Sequence, residues 1–336
     1  MDRNESRFGI SPRVREAVLD ELKNISKYPE NKGIHLRRSL ARYYQIEPEC
    51  ILIGNGSFEL LWLIASVYLD EMAESLLSAP TFGWYKAYGQ LFGRRVIEIP
   101  LSHYDLNLDG LLERITDRTK LIWLCNPNNP TGRYIPADRI KQFLEKIPSH
   151  ILVVIDEAYL EFIDDYTPHE TISLIKSFDN VILLRTFSKF YGLASLRIGY
   201  ALASPQIIQN LFQFRIPPNH SRIAEAAAAV SIEDIDFQKE VQKQVKKERN
   251  YLYRKLLDLG IVYLSTQTNF LVFQIPDTNS EEVKRALAEA HVLVKSGKVF
   301  EMDHWLRLTV GDRETNRRVI AELGTYIEGR SAEANI

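Results

Sequence analysis

The chain has 336 residues, 45% hydrophobic and 26% charged, with 42 Lys and Arg against 44 Asp and Glu and a formal charge of −2. That length allows about two domains of ~150 residues, and the absence of a basic excess argues against a nucleic-acid binder. The amino terminus, MDRNESRFG, is too polar for a secretory signal. The longest apolar stretch, residues 60–69, falls well short of the roughly 18 needed to cross a bilayer. Cys50 and Cys125 make neither a disulfide framework nor a metal motif. The expectation is a soluble, cytoplasmic, two-domain enzyme with no bound metal.

In chain order, the first clear unit is a strand, CILI at 50–53, then GNGS at 54–57, then an apolar helix, FELLWLIASVYL. The middle of the chain has a beat. Apolar, β-prone runs occupy Leu121–Cys125, Ile151–Ile155 and Val181–Leu184, each starting 30 residues after the last. Between the first two lies ADRIKQFLEKI, with Ile140, Phe143, Leu144 and Ile147 on one helical face. Strands at this spacing with helices between them predict βαβ units and a mostly parallel sheet, so the fold class is α/β. Both faces of such a sheet are covered, which is why ILVVI does not alternate.

Further on, Phe237, Val241, Val245, Leu252, Leu256 and Leu259 mark one stripe of a long helix that Gly260 ends. NFLVFQI, HVLV and WLRLTV read as strands, with a helix at Ser280–Ala290 and another at the end of the chain. This mixture predicts a smaller α+β domain beginning near residue 230.

In an open parallel sheet, ligands sit beyond the carboxyl ends of the strands. NPNNPTG follows the Leu121 strand, DEAY the Ile151 strand and RTFSK the Val181 strand, which brings Asn129, Asp156, Tyr159, Ser188 and Lys189 to one rim. Each piece alone is ordinary: the first is a good turn, an aspartate often caps a helix, and most lysines are solvated. Together, an amine, a carboxylate, a phenol and an amide suit pyridoxal phosphate, which needs a lysine for its aldehyde and a carboxylate for its ring nitrogen. GNGS, between a strand and a helix, offers backbone N–H groups at a helix start for an anion, and Arg197 can add a charge-assisted bond.

The strings NES, YPENKGIHLRRSLARYY, GNGSFEL, PTFGWY, LCNPNNPTG, VVIDEAYLEF, LRTFSKFYGLASLRIGY, TNF and WLRLTVG, in that order from Asn4 to about Ile327, resemble the class I/II pyridoxal-phosphate-dependent aminotransferases of fold type I. The histidinol-phosphate aminotransferase branch is the most similar. The resemblance implies a large cofactor domain over 28–230, a smaller domain over 231–330, an arm over 1–27 associated with the smaller domain, and a tail over 331–336. It implies that Lys189 is the Schiff-base lysine and moves the substrate proton. Asp156 would pair with the ring nitrogen, Tyr159 and Asn129 with the ring hydroxyl, and Phe82 would stack on the ring. Gly56, Ser57, Phe58, Ser188 and Arg197 would hold the phosphate, with Tyr28 reaching the phosphate of the other subunit of a homodimer. Arg307 would grip the substrate carboxylate, and Lys295 would bind the substrate side chain where the branch commonly has arginine.

Two further departures lie near the substrate. Phe58 replaces a frequent acidic residue, and the chain starts almost at NES, without the arm that commonly precedes it in the branch. The expected reaction is amino transfer between an amino acid or amino-alcohol phosphate and a 2-oxo acid. The alternative is a threonine-phosphate decarboxylase-like reaction, which uses the same motifs. The filled catalytic positions argue against a binding protein without turnover. Tyr85, Lys86, Arg215 and His220 are further candidates for the pocket, with packing or solvated roles the simpler reading.

Overall fold

The structure is a computed structural model that describes residues 1–333. Helices α1 (Pro12–Glu21) and α2 (Ile34–Tyr44) come first. Strands and helices then alternate through β1 (Ile51–Gly54), α3 (Gly56–Tyr68), β2 (Glu74–Ala79), α4 (Trp84–Leu91), β3 (Arg95–Pro100), α5 (Leu108–Glu113), β4 (Thr119–Cys125), α6 (Ala137–Leu144), β5 (Leu152–Asp156), α7 (Ile172–Ser177), β6 (Val181–Thr186) and β7 (Gly199–Ala203). Helices α8 (Pro205–Phe214), α9 (Arg222–Glu233) and α10 (Ile235–Asp258) follow. The chain continues through β8 (Val262–Tyr263), β9 (Phe270–Gln274), α11 (Ser280–Glu289), β10 (Lys295–Ser296), β11 (Leu306–Thr309) and α12 (Arg313–Glu333).

The first sheet has the order β1-β7-β6-β5-β4-β2-β3. Strands β6, β5, β4, β2 and β3 run parallel, and β7 is antiparallel to both neighbours. Side chains alternate across the sheet and feed two cores. Ile122, Leu124, Val153, Ile155 and Leu183 enter one, while Leu121, Trp123, Leu152, Val154, Ile182 and Leu184 enter the other. With both faces apolar, these strands read as unbroken hydrophobic runs, as the sequence predicts. The second sheet, β10-β11-β9-β8, is antiparallel. It packs with Leu252 and Leu256 of α10, Val283 and Leu287 of α11, and Val319 and Leu323 of α12. The amino-terminal half of α10 instead places Val241 and Val245 in the first core, so one helix serves both.

Local chemistry sets the helix ends. The Ser11 side chain accepts from the Arg13 N–H with Pro12 in the first turn, Asp234 caps α10 by accepting from Phe237, and Gly260 turns the chain at φ +68° just beyond α10. HVLV is not a strand, contrary to the sequence reading. His291 is left-handed at φ 59°, and the N–H groups of His291 and Val292 cap α11 by donating to Ala288 (2.9 Å) and Leu287 (2.8 Å). Those donors are therefore lost to a ladder, and pairing begins only at Lys295. Strands β2, β3, β7 and β8 are additions that the sequence reading did not contain. The expected tail at 331–336 overlaps the end of α12 and otherwise lies outside the described residues.

Behind the sheet, Arg185 of β6 is fully buried, as is Glu157. The Arg185 Nε donates to Glu157 Oε2 at 2.8 Å, and its Nη2 donates to Thr171 Oγ1 at 2.9 Å. Nearby, both carboxyl oxygens of Glu161 are buried without a hydrogen-bond partner. Burial raises its pKa to about 7, with Arg185 opposing. The folded value lies above the unfolded carboxyl value, so folding favours the protonated acid. The associated stability is complete below the unfolded value and is lost as pH rises through about 7. A Glu161→Gln variant, neutral at every pH, is expected to gain stability relative to the parent between pH 5 and pH 8, measured by urea denaturation at each pH. An unchanged difference across that range would contradict this account.

Candidate active site

The parallel strands β4, β5 and β6 end side by side, with Cys125, Asp156 and Leu184 in register. The loops beyond them carry the chemistry. Asp156 is the last residue of β5 and only 4% exposed. The Tyr85 hydroxyl of α4 donates to its Oδ2 at 2.8 Å, and the Ala158 N–H donates to its Oδ1 at 3.1 Å. Among the described residues no cation faces this carboxylate, and burial lifts its pKa to about 6 against both hydrogen bonds. A desolvated carboxylate with no counter-charge is costly.

Lys189 follows β6, partly buried, and its Nζ donates to the main-chain oxygen of Arg3 at 2.7 Å. Burial, and then the Arg307 charge, pull its pKa down to about 8. Arg307 comes from β11 of the second sheet. Its Nη1 donates to Asn129 Oδ1 at 2.5 Å, its Nη2 donates to the Asp2 main-chain oxygen at 2.8 Å, and its Nε is buried without a partner. The guanidinium lies 5.3 Å from the Phe270 ring centre and 5.1 Å from that of Phe300. The Tyr159 hydroxyl accepts from Asn4 Nδ2 at 3.0 Å, and burial pushes its pKa up to about 12. The segment Met1–Asn4 thus lies across the site, anchored also by the Thr309 N–H donating to the Met1 oxygen at 3.0 Å.

A second cluster surrounds the start of α3. Gly56 has φ +72°, and a Cβ there would stand 2.6 Å from Arg197 Nη2, so only glycine lets the guanidinium lie against this turn. Arg197 Nη1 donates to Ser188 Oγ at 3.3 Å and to the Ala194 oxygen at 2.9 Å. Gly199 likewise leaves room for the Ser57 N–H, since a Cβ on it would lie 2.7 Å from that nitrogen. A helix start with unpaired N–H groups beside a guanidinium is an anion cradle. Phe58 lies edge-on to Phe82 at 5.5 Å and to Trp84 at 5.2 Å, and Phe82 lies edge-on to Tyr85 at 5.5 Å.

The structure therefore brings Lys189, Asp156, Tyr159, Asn129 and Arg307 to one place, with Gly56, Ser57, Ser188 and Arg197 forming the cradle. Lys295 stands directly opposite Arg307 across the β10–β11 pair, so their side chains leave the same face. Tyr28 is apart, 86% exposed beside Pro29 and His220. Lys86 pairs with Glu98 at 2.6 Å, Arg215 donates to the Asn31 oxygen at 2.7 Å, and His220 lies 3.4 Å from Glu225, so these three have structural partners. The sequence reading missed the placement of Asn4, although NES contains it, and named Tyr85 only as a pocket candidate without its bond to Asp156. The carbonyls of Asp2 and Arg3 carry no sequence signal, because any residue presents the same oxygen.

The topology and the strand-end chemistry define a class, and residues 1–323 match the sequence model of the aminotransferase class I and II family, to which the chain belongs. The chain is 38% identical over 332 residues to the histidinol-phosphate aminotransferase of Bacillus pumilus, covering 97% of this chain and 89% of the relative. It is 36% identical over 329 residues to that of Halalkalibacterium halodurans, covering 96% and 88%. The crystal structure of histidinol-phosphate aminotransferase from Sinorhizobium meliloti in complex with pyridoxal-5'-phosphate matches with a TM-score of 0.91 at 30% identity, over 98% of this chain and 90% of that one. The protein is an aminotransferase similar in sequence and fold to the histidinol-phosphate aminotransferases, as its motifs led us to expect.

The lowered pKa of Lys189 has a measurable consequence. In protein freed of small molecules, its labelling by an amine reagent, followed by peptide mass spectrometry, should rise with pH around a midpoint near 8. Arg307→Gln removes a repelling cation and should move that midpoint upward.

Proposed function

We propose that the chain binds pyridoxal 5'-phosphate through Lys189 and transfers the amino group of a phosphorylated amino alcohol, histidinol phosphate or a close analogue, to a 2-oxo acid. The observation that carries this reading is Asp156. A buried carboxylate with no cation against it among the described residues fits a protonated ring nitrogen as its missing counter-charge. The cradle at Gly56, Ser57, Phe58, Ser188 and Arg197 fits the cofactor phosphate by the same logic, since its donors are aimed but not paired with an acid. When bound, the cofactor supplies an aldehyde that condenses with amines and a cationic ring that draws electrons from the carbon being deprotonated.

The chain's own residues then have distinct tasks. Asp156 holds the ring nitrogen charged. Tyr159 and Asn129 flank the ring hydroxyl, and Phe82 offers its face to the ring. Lys189, part neutral near its pKa of about 8, can take a proton from the substrate carbon and return it nearby. Arg307 offers its guanidinium to the substrate anion once the Asp2 carbonyl yields its place. Lys295 and Arg307 oppose one another across the ladder, where like charges repel, so a dianionic phosphate between them is favoured over a single carboxylate. This supports a phosphorylated donor despite lysine standing where the branch has arginine. Decarboxylation of a phosphoamino acid has less support, since the relatives reported above are aminotransferases.

We further propose two structural units, residues 28–230 and 231–330, with the arm at 1–27 associated with the smaller one. We also propose a homodimer in which Tyr28 reaches the partner's phosphate cradle. Ile25, Phe214 and Ile216 are exposed apolar residues, which a second copy would cover. No helix among the described residues is long and apolar enough to cross a membrane, in keeping with work in the cytoplasm.

The test is a yellow protein whose cofactor becomes fixed by borohydride on Lys189, together with amino transfer from histidinol phosphate to 2-oxoglutarate. Label on another lysine, or carbon dioxide release without need of a 2-oxo acid, would sink the reading. Lys189→Ala should abolish turnover. Lys295→Ala should raise KM for phosphorylated donors about tenfold or more while leaving unphosphorylated amines nearly unaffected, in line with the loss of one charged hydrogen bond.

A further inference from the structure

Asp156 is held by two donors of different kinds. The Ala158 N–H is backbone and present whatever the residue, whereas the Tyr85 hydroxyl is a choice of side chain. Tyr85 lies on α4, at the end of the PTFGWY string that follows β2, and is 1% exposed. Its ring is stacked on Trp123 of β4, with centres 5.2 Å apart and planes 10° apart, and it meets Phe82 edge-on at 5.5 Å. With one face stacked and an edge contact beside it, the ring has little room to swing its hydroxyl away from Asp156.

The geometry points to Tyr85 as a positioning residue that holds the Asp156 carboxylate ionised and in one orientation, ready for a cationic nitrogen heterocycle. This rests on the reading of Asp156 as the ring-nitrogen partner. An ionised carboxylate only accepts hydrogen bonds, and here both oxygens accept one. The protonated acid would have to present a donor either to the Ala158 N–H, where donor would face donor, or to the Tyr85 hydroxyl, which would have to turn from donor to acceptor. The phenol keeps its proton and so can donate, because burial drives its pKa well above the ordinary value. The other ionisable groups facing Asp156 are Cys125 of β4, whose thiol burial raises to about 12, Tyr159, and the adjacent Glu157. Cys125 and Tyr159 are therefore neutral near pH 7. Glu157 is committed to Arg185 at 2.8 Å. Tyr85 is thus the one side chain among these that stabilises the Asp156 charge by donating to it.

Tyr85→Phe removes one oxygen and keeps the stacking on Trp123, so the fold is retained. The probe is pyridoxamine 5'-phosphate, titrated into the cofactor-free chain between pH 5 and pH 9. In the parent, affinity should fall as pH drops and Asp156 takes a proton. In Tyr85→Phe the midpoint of that fall should move up by about one pH unit, so that affinity drops by about tenfold at pH 5 and about twofold at pH 7, the scale of one hydrogen bond to a charge. In holoenzyme loaded with ring-nitrogen-labelled cofactor, the nitrogen resonance of Tyr85→Phe should move toward that of a neutral pyridine. In an Asp156→Asn background, Tyr85→Phe should have no further effect on affinity, as a double-mutant cycle requires of an interacting pair. An unshifted midpoint in a folded Tyr85→Phe protein, or an equal loss with Asn at 156, overturns the inference and assigns Tyr85 to packing. Failure of the parent chain to bind the probe at all overturns the cofactor reading and this inference with it.

Discussion

A carboxylate taken out of water without a counter-charge is among the least favourable groups a fold can contain, and the site is organised around one. Asp156 stands at the end of β5, the middle of the three parallel strands whose loops make the rim. That position explains its burial, since β4 and β6 flank it and both sheet faces are covered by apolar cores. The same position makes it useful. A cationic ring nitrogen arriving at the rim meets an anion already desolvated, where attraction is stronger than at a surface.

The opposite end of the site is cationic. Lys189 and Arg197, both from the connection between β6 and β7, converge there with Arg307 of β11, and both arginines lower the readiness of Lys189 to hold its proton. Charge is therefore separated across the pocket, negative at Asp156 and positive at Arg307 and the α3 cradle. A ligand with a cationic ring at one end and anionic groups at the other fits that layout. Arg307 is delivered by a different sheet, so it meets Asn129 only because β11 is packed against the loop after β4. The first residues of the chain complete the enclosure, with the backbone oxygens of Asp2 and Arg3 accepting from Arg307 and Lys189.

Behind the sheet a different arrangement uses the same residue types for structure. Glu157 is next to Asp156 in sequence, but strand alternation sends its side chain to the other core, where Arg185 neutralises it. Adjacent acids thus acquire opposite roles: one is paired and silent, the other unpaired and available. Glu161 is a third acid in the same motif, and with no donor on either oxygen it folds most readily as the neutral acid.

Much of this was legible in the sequence. The runs at Leu121, Ile151 and Val181 revealed the parallel core because doubly covered strands need uninterrupted apolar residues, and the loops after them revealed where polar chemistry had to gather. Glycines at 54 and 56 and the serine between strand and helix marked the cradle through backbone requirements alone. HVLV misled because β-prone composition does not register that a helix end has claimed its N–H groups. Strand β7 escaped notice because its direction depends on where the chain returns, and Tyr28, expected at a phosphate, stands apart from the site of its own chain.

What the sequence by itself determined was local: periodicity, turn chemistry, and which residue types follow which strand, since these depend on neighbours along the chain. What only the tertiary structure decided was pairing at long range. That the Tyr85 hydroxyl meets Asp156, that Arg307 meets Asn129, and that the carbonyls of Asp2 and Arg3 cover the cations are contacts between segments 71 to 305 positions apart. They depend on how sheets and helices pack, a property of the whole folded surface that no short stretch of sequence encodes.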